Sequence, residues 1–191
     1  MRFTIFSFLL VLSFQTFAGL TEDYDKIKDL GRNLEPTGAI CEEIAQLRFA
    51  EIYPEPNYKV VTGIEYADKE KTLGELDVVV FNNETQLADI IGEVKCYTTV
   101  KSGLKKAKEQ RKRFLTNINS PKALTFTWLN DRTVKLAKTQ FKKAKKFVTI
   151  GQSGTIAKGY DYELPYSLSE LMQLREDIIK CQSEGRCAAK K

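Results

Sequence analysis

The residue pattern predicts an α/β fold: a mixed central sheet flanked by helices. Three observations lead there. Three successive β-type runs, over 58–66, 74–80 and 89–95, are followed by alternating helical and strand-like segments, an order that yields a mixed sheet covered on its faces. The second and third runs, GELDVVV and DIIGEVK, are joined by Asn82-Asn83-Glu84-Thr85, turn formers set between hydrophobic runs. Residues 38–53 and 102–117 carry apolar residues at helical spacing.

The first 18 residues stand apart from that fold. Arg2 makes a short positive start, residues 5–14 are an apolar run interrupted only by serine, and Thr16-Phe17-Ala18 offers small residues where a signal peptidase reads. This predicts a secretory signal peptide cleaved after Ala18 and a secreted or periplasmic protein. The run falls short of the about 20 apolar residues of a spanning helix, so no membrane is expected in the mature form. No Cys follows the cleavage point, which argues against a lipoprotein. Residues 19–191 are read as a single domain.

A helix is predicted over 22–33, with Thr21 as N-cap and Gly31 near its end. Pro36 marks a linker. The helix over 38–53 has a buried stripe of Ile40, Ile44 and Leu47, with Cys41 and Ala45 at its edge, and Pro54 and Pro56 end it. After the three strands come a helix over 102–117, a strand over 123–129, a helix over 132–145 capped by Asp131, and a strand over 147–150. Residues 151–159 form a loop whose GQSGTIAKG lacks the Gly-Lys-Ser/Thr ending of a phosphate-binding loop, so no nucleotide site is read there. A terminal helix over 168–181 precedes a polar tail.

The hairpin carries the chemistry. Glu75 and Asp77 are two residues apart and share one strand face; so do Glu93 and Lys95. Leu76, Val78 and Val80 take the opposite face of the first strand, and Ile90, Gly92 and Val94 that of the second. This register would bring up to three carboxylates and one amine to the end of a sheet. Mg²⁺ takes oxygen ligands and keeps some of its waters, so Asp77 and Glu93 suit it. Such an ion binds phosphate and lowers the pKa of a bound water, while Lys95 orients the water or meets charge growing on the phosphorane. Alternation alone describes a solvated surface hairpin equally well. The chain has no histidine. That removes histidine-based nucleases, Ser-His-Asp hydrolases and the usual His-containing zinc sites.

Asp77, fifteen intervening residues and then Glu93-Val94-Lys95 resemble the D-(x)n-E-x-K signature of the PD-(D/E)xK nuclease superfamily, the restriction-endonuclease-like fold. Leu76 stands where a leading Pro would. GELDVVV is most similar to the corresponding strand of Holliday-junction-resolvase-like small nucleases. The resemblance covers residues 38–150. It implies hydrolysis of phosphodiester bonds with Mg²⁺ or Mn²⁺, DNA favoured over RNA, with Asp77 and Glu93 as metal ligands and Lys95 as the catalytic amine. Glu75 is a further acidic candidate. In resolvase-like members a Glu of the first core helix joins the metal site; Glu42 matches it best, with Glu43 as the neighbour that could replace it. Gln110 through Phe114 resembles the Q-x-x-x-Y element of the exonuclease branch, with Phe for Tyr, which makes Gln110 a positioner of substrate or water. The alternative is a catalytically inactive nucleic-acid-binding or partner-binding module on the same fold. A third reading is a periplasmic protein whose basic face meets anionic envelope components.

Charge is segregated along the chain. Residues 19–100 hold 8 basic and 17 acidic residues, a net of −9, and residues 101–146 hold 15 basic and 2 acidic, a net of +13. An acidic half binds cations and a basic half binds phosphates. Lys105, Lys108, Lys112 and Arg113 are the nucleic-acid contacts expected; a solvated lysine-rich helix face is the plainer alternative. Four cysteines allow three connectivities. Cys181 and Cys187 could close a small loop. Cys41 and Cys96 adjoin Glu42 and Lys95, and a bridge between them would tie the first core helix to the sheet. Residues 95 and 96 face opposite ways on a strand, so Lys95 is assigned chemistry and Cys96 stability. With no C-x₂-C pair, zinc is the lesser reading.

Overall fold

The computed structural model describes residues 19–69 and 71–190. The expected signal peptide lies outside them. The chain divides into two compact units: Cys41–Leu164, and the segments up to Ile40 and from Pro165 onward. No break in composition marks that division in the sequence.

The β-branched and apolar runs build a seven-stranded sheet in the first unit. Its strands are β1 (Tyr58–Asp68), β2 (Lys71–Asn82), β3 (Ala88–Val94), β4 (Leu124–Trp128), β5 (Lys135–Leu136), β6 (Lys146–Gly151) and β7 (Tyr162–Glu163), in the spatial order β5-β4-β1-β2-β3-β6-β7. The pairs β1–β2, β2–β3, β1–β4 and β4–β5 are antiparallel, whereas β3–β6 and β6–β7 are parallel. The sheet is therefore mixed and flanked by helices, as the element order predicts. The β2–β3 turn closes on Asn82, whose Oδ1 accepts from the backbone N–H of Glu84 at 3.0 Å and Thr85 at 2.9 Å. Every residue of β3 is buried, so the hairpin is a central element and the solvated reading of it fails.

The helices are α1 (residues 19–27), α2 (Ala39–Ile52), α3 (Val100–Ile118), the single turn α4 (Lys138–Phe141) and α5 (Leu168–Ser183). α3 packs against β3 and β6. Its Phe114 and Ile118 join one core cluster with Val61, Ile64, Tyr66, Leu76, Val79, Phe81 and Ile91. α2 buries Cys41, Ile44, Ala45 and Phe49, none of which belongs to that cluster. Phe49 meets Tyr162 edge-on at 5.2 Å, and Gln46 Nε2 donates to the Val60 carbonyl at 3.1 Å.

One expectation about faces is corrected. Leu76 shares the α3-side core with Val79 and Phe81 rather than keeping to one face with Val78 and Val80. On β1 the same core takes Val61 and then Ile64 and Tyr66, so both strands change parity at one place. Gly63 lies there with φ +71°, a left-handed conformation that side chains resist. Its carbonyl accepts from Leu129 N at 2.9 Å.

The helix expected over 132–145 is absent. Asp131 Oδ1 instead closes a turn, accepting from Thr133 N at 3.1 Å and Thr133 Oγ1 at 2.6 Å. β5 then pairs with β4, and only α4 follows, anchored by buried Phe141, which stacks on Phe126 at 4.2 Å. The lysine run beyond it offers too few apolar residues to bury a longer helix. Past β6, a short 3₁₀ turn over Ile156–Lys158 and β7 occupy ground where the sequence predicts no regular element.

In the second unit α1 is already helical at residue 19, so Thr21 is not its cap, and it ends at residue 27 rather than 33. Gly31 follows with φ +65°. α5 starts on a reciprocal Ser167–Glu170 capping box. Arg175 Nε donates to the Leu34 carbonyl at 2.7 Å, and Tyr166 OH to buried Asp23 Oδ2 at 2.7 Å. Cys181 and Cys187 are disulfide-linked with Cα atoms 5.4 Å apart.

Candidate active site

The site forms where β2 and β3 part. Their ladder holds through Val78↔Gly92. At the next step the N–H of Val94 does not meet a carbonyl of β2. It donates to the Asp77 side chain, Oδ2, at 2.8 Å. A carboxylate thus stands in the place of a backbone acceptor. Lys95 follows β3, held in line by its N–H donating to the Ile150 carbonyl of β6 at 2.8 Å. Its Nζ donates to Asp77 Oδ2 at 2.5 Å and to the Val94 carbonyl at 2.9 Å, and lies 3.6 Å from Glu93 Oε2. All three residues are buried: Asp77 and Glu93 are 4% exposed and Lys95 8%. Glu93 Oε2 has no hydrogen-bond partner among the described residues.

Two more carboxylates act on this trio. Glu42 lies in the first turn of α2, and Glu75 lies on β2, directly across from Glu65 of β1. Burial, then the Asp77 and Glu75 charges, push Glu42 up to about 8, with Lys95 opposing. Burial and Asp77 likewise push Glu93 up to about 8 against Lys95 and Arg113. Burial raises Glu75 too, helped by Asp77 and Glu65. For Lys95, burial alone would lower the ammonium, but Asp77, Glu93 and Glu42 outweigh it and hold it above the ordinary lysine range. The site therefore gathers more carboxyl groups than one ammonium can balance in ionised form. Two of its carboxyls keep protons through neutral pH.

Of the residues singled out in the sequence, Asp77, Glu93 and Lys95 come into direct contact. Glu42 and Glu75 come within electrostatic reach of them. Gln110 sits on α3 one turn before buried Phe114; its Oε1 is buried without a partner among the described residues, and no hydrogen bond ties it to the trio. Lys105, Lys108, Lys112 and Arg113 are exposed on α3, with Lys105 3.9 Å from Glu109. Arg113 is the one whose charge reaches Glu93.

Sequence reasoning missed four supporting residues. Gly63 falls opposite Asp77 by register, between Thr62↔Val78 and Ile64↔Leu76, and a Cβ there would lie 3.4 Å from Glu75 Oε1. An isolated Gly inside a strand pattern is the signal that marks such a place. Tyr66, whose hydroxyl burial raises while Arg113 opposes, packs edge-on against Phe114 at 5.2 Å. Gln152 grips the chain after Lys95 at both ends of one amide. Its Oε1 accepts from Tyr97 N at 3.1 Å and its Nε2 donates to Tyr97 O at 2.8 Å. Tyr160 OH donates to Val100 O at 3.1 Å. Gln152 lies in the stretch predicted to be a loop and Tyr160 directly follows it, and nothing local there points to Lys95.

The expected Cys41–Cys96 link is formed, with Cα atoms 6.5 Å apart. Among the described residues no three Asp, Glu, Cys or His side chains converge as a ready-made metal site. The donors still fit Mg²⁺ or Mn²⁺. Mg²⁺ is commonly held by one or two carboxylates plus substrate phosphate and water, rather than by a full protein cage. Asp77 and Glu93 supply two buried carboxyl groups, one with an oxygen that has no hydrogen-bond partner among the described residues. Comparison with protein-family models, with curated proteins and with solved structures finds no match for this chain.

Proposed function

We propose that this chain is an exported, Mg²⁺- or Mn²⁺-dependent nuclease of the PD-(D/E)xK type with a restriction-endonuclease-like core, hydrolysing phosphodiester bonds, with DNA favoured over RNA. The observation that carries the reading is the Lys95 ammonium set between the Asp77 and Glu93 carboxylates where β2 and β3 part. Asp77 and Glu93 would hold the ion, with Glu42 and Glu75 at its margin. Bound there, the cation supplies Lewis-acid polarisation of the phosphate and a more acidic water. Lys95 keeps its proton, so its part is to donate: it orients the attacking water or meets the charge that grows on a phosphate oxygen in the transition state. Gln110 would position the substrate. Lys105, Lys108, Lys112 and Arg113 would follow the phosphate backbone. Two disulfides suit an oxidising compartment, and no helix among the described residues is long and apolar enough to cross a membrane.

A second reading, a catalytically inactive nucleic-acid-binding or partner-binding module on this fold, draws support from the same ammonium, since Lys95 already neutralises Asp77. One experiment separates the two. The mature protein is mixed with plasmid DNA and with single-stranded RNA, in Mg²⁺, in Mn²⁺ or in chelator. Metal-dependent cleavage supports the nuclease. Binding without cleavage under every condition supports the module.

A further inference from the structure

We propose that the Cys41–Cys96 disulfide is a positioning device for the active site, holding Glu42 in the carboxylate cluster, so that the protein is competent only in its oxidised form. The inference rests on the nuclease reading above and adds a redox condition to it.

Each cysteine is the immediate neighbour of a site residue. Cys41 precedes Glu42 at the start of α2, and Cys96 follows Lys95 at the end of β3. The bridge therefore joins the two elements one residue away from the groups that must meet. The Glu42 side chain makes no hydrogen bond or ion pair among the described residues. The covalent link at the preceding residue is what fixes the first turn of α2 against the end of β3. The hydrogen bond from Gln46 to Val60 acts a full turn later. The second disulfide joins Cys181 and Cys187, at a sequence separation of only 6, and neither cysteine is next to one of these groups in sequence.

The two ends of the bridge differ in burial. Cys41 is fully buried, whereas Cys96 is half-buried. A thiolate of a dithiol reductant attacks the Cys96 sulfur and expels the Cys41 thiolate. The second thiol of the reductant then resolves the mixed disulfide. The protein gains two electrons and two protons, and the reductant leaves as a disulfide. Formation is the reverse, with a disulfide oxidant taking the electrons. A chain still in a reducing compartment would have Glu42 unheld and would spare the nucleic acid around it. Oxidation after export would assemble the site.

The test compares oxidised wild type, dithiol-reduced wild type and Cys41→Ser/Cys96→Ser, with Cys181→Ser/Cys187→Ser as the control for lost stability, all below their melting temperatures. Two quantities are read: cleavage kinetics on plasmid DNA, and Mn²⁺ affinity of the DNA-free protein by calorimetry. The expectation is a kcat at least about tenfold lower without the bridge, the effect usual for groups that orient ligands, and a KM for DNA within about twofold. Mn²⁺ affinity should fall by a similar factor, and reoxidation should restore the wild type but not the serine variant. The Cys181→Ser/Cys187→Ser control should keep its kcat. Equal kcat with and without the bridge, or equal Mn²⁺ affinity, overturns the proposal and leaves the nuclease reading standing. An oxidised wild type that neither cleaves nor binds Mn²⁺ overturns both.

Discussion

Glu93→Gln should stabilise the chelated protein, and should do so more as the pH rises. Glu93 is 5% exposed at its side chain, and burial with the Asp77 charge moves it from 4.5 to about 8. Between those values the folded chain keeps a proton that the unfolded chain has released. Its contribution to stability is therefore complete below 4.5 and is lost as the pH climbs to about 8. Each unit in that window costs about 1.4 kcal/mol. The loss reaches about 3 kcal/mol at neutral pH and about 5 kcal/mol at the top of the window. These are ceilings, because Glu42 rises for related causes and the two titrate together. Glutamine matches the shape, carries no charge and sacrifices no hydrogen bond at Oε2, which has none among the described residues. Urea unfolding in chelator, at about pH 5 and about pH 8, reads the effect. The wild type should lose a few kcal/mol across that interval and Glu93→Gln distinctly less, with the two nearly equal at the acidic end. A variant less stable than wild type at both pH values, or a difference that ignores pH, refutes the reasoning. The same substitution should abolish cleavage, so stability and activity move in opposite directions.

Asp77→Asn should end cleavage in Mg²⁺ and Mn²⁺ and cost about 3 kcal/mol, since it breaks a buried pair and leaves Lys95 charged; full activity in the variant would dismiss Asp77 as a ligand. Lys95→Ala should remove most turnover while DNA binding, read by fluorescence anisotropy, stays within about twofold, because the amine acts on the transition state; cleavage at the wild-type rate would rule the lysine out. Neutralising Lys105, Lys108, Lys112 and Arg113 should weaken binding and flatten its log–log salt dependence by about 0.9 for each duplex phosphate that is no longer neutralised. An unchanged slope would mean the strand runs elsewhere. Gly63→Ala should lower stability by about 1–2 kcal/mol, the cost of a side chain in a left-handed conformation; an unshifted melting temperature would show that the β1 kink relaxes freely.

Local pattern was enough for much of this molecule. The period-2 runs around Asn82-Asn83-Glu84-Thr85 determined a hairpin, and the spacing of Glu93 and Lys95 put both on one strand face. The apolar stripes determined α2 and α3, and the order of elements determined a mixed sheet. Each of these depends on residues a few positions apart, which the chain itself keeps close. The stretch over 132–145 shows where that kind of reading stops. Its lysines have good helix propensity, yet Asp131 bonds Thr133 and Leu136 joins a strand pair, so tertiary partners outweighed propensity.

The candidate site depended on the tertiary structure in another way. The sequence brought Asp77 and Lys95 to the same sheet end, but not to one hydrogen bond. That contact exists because β2 and β3 separate after Val78↔Gly92, leaving Val94 N to be satisfied by a side chain. Gly63 opposite Asp77, the change of face at Leu76 and the grip of Gln152 on Tyr97 likewise depend on neighbours far along the chain. So do the raised carboxyls of Glu42 and Glu93. A pKa reflects how much water is excluded and which charges are near, and both are set by packing between α2, β2 and β3. Residue spacing determined which groups could take part. Long-range packing, which alone sets burial and distance, decided which of them meet and with what charge.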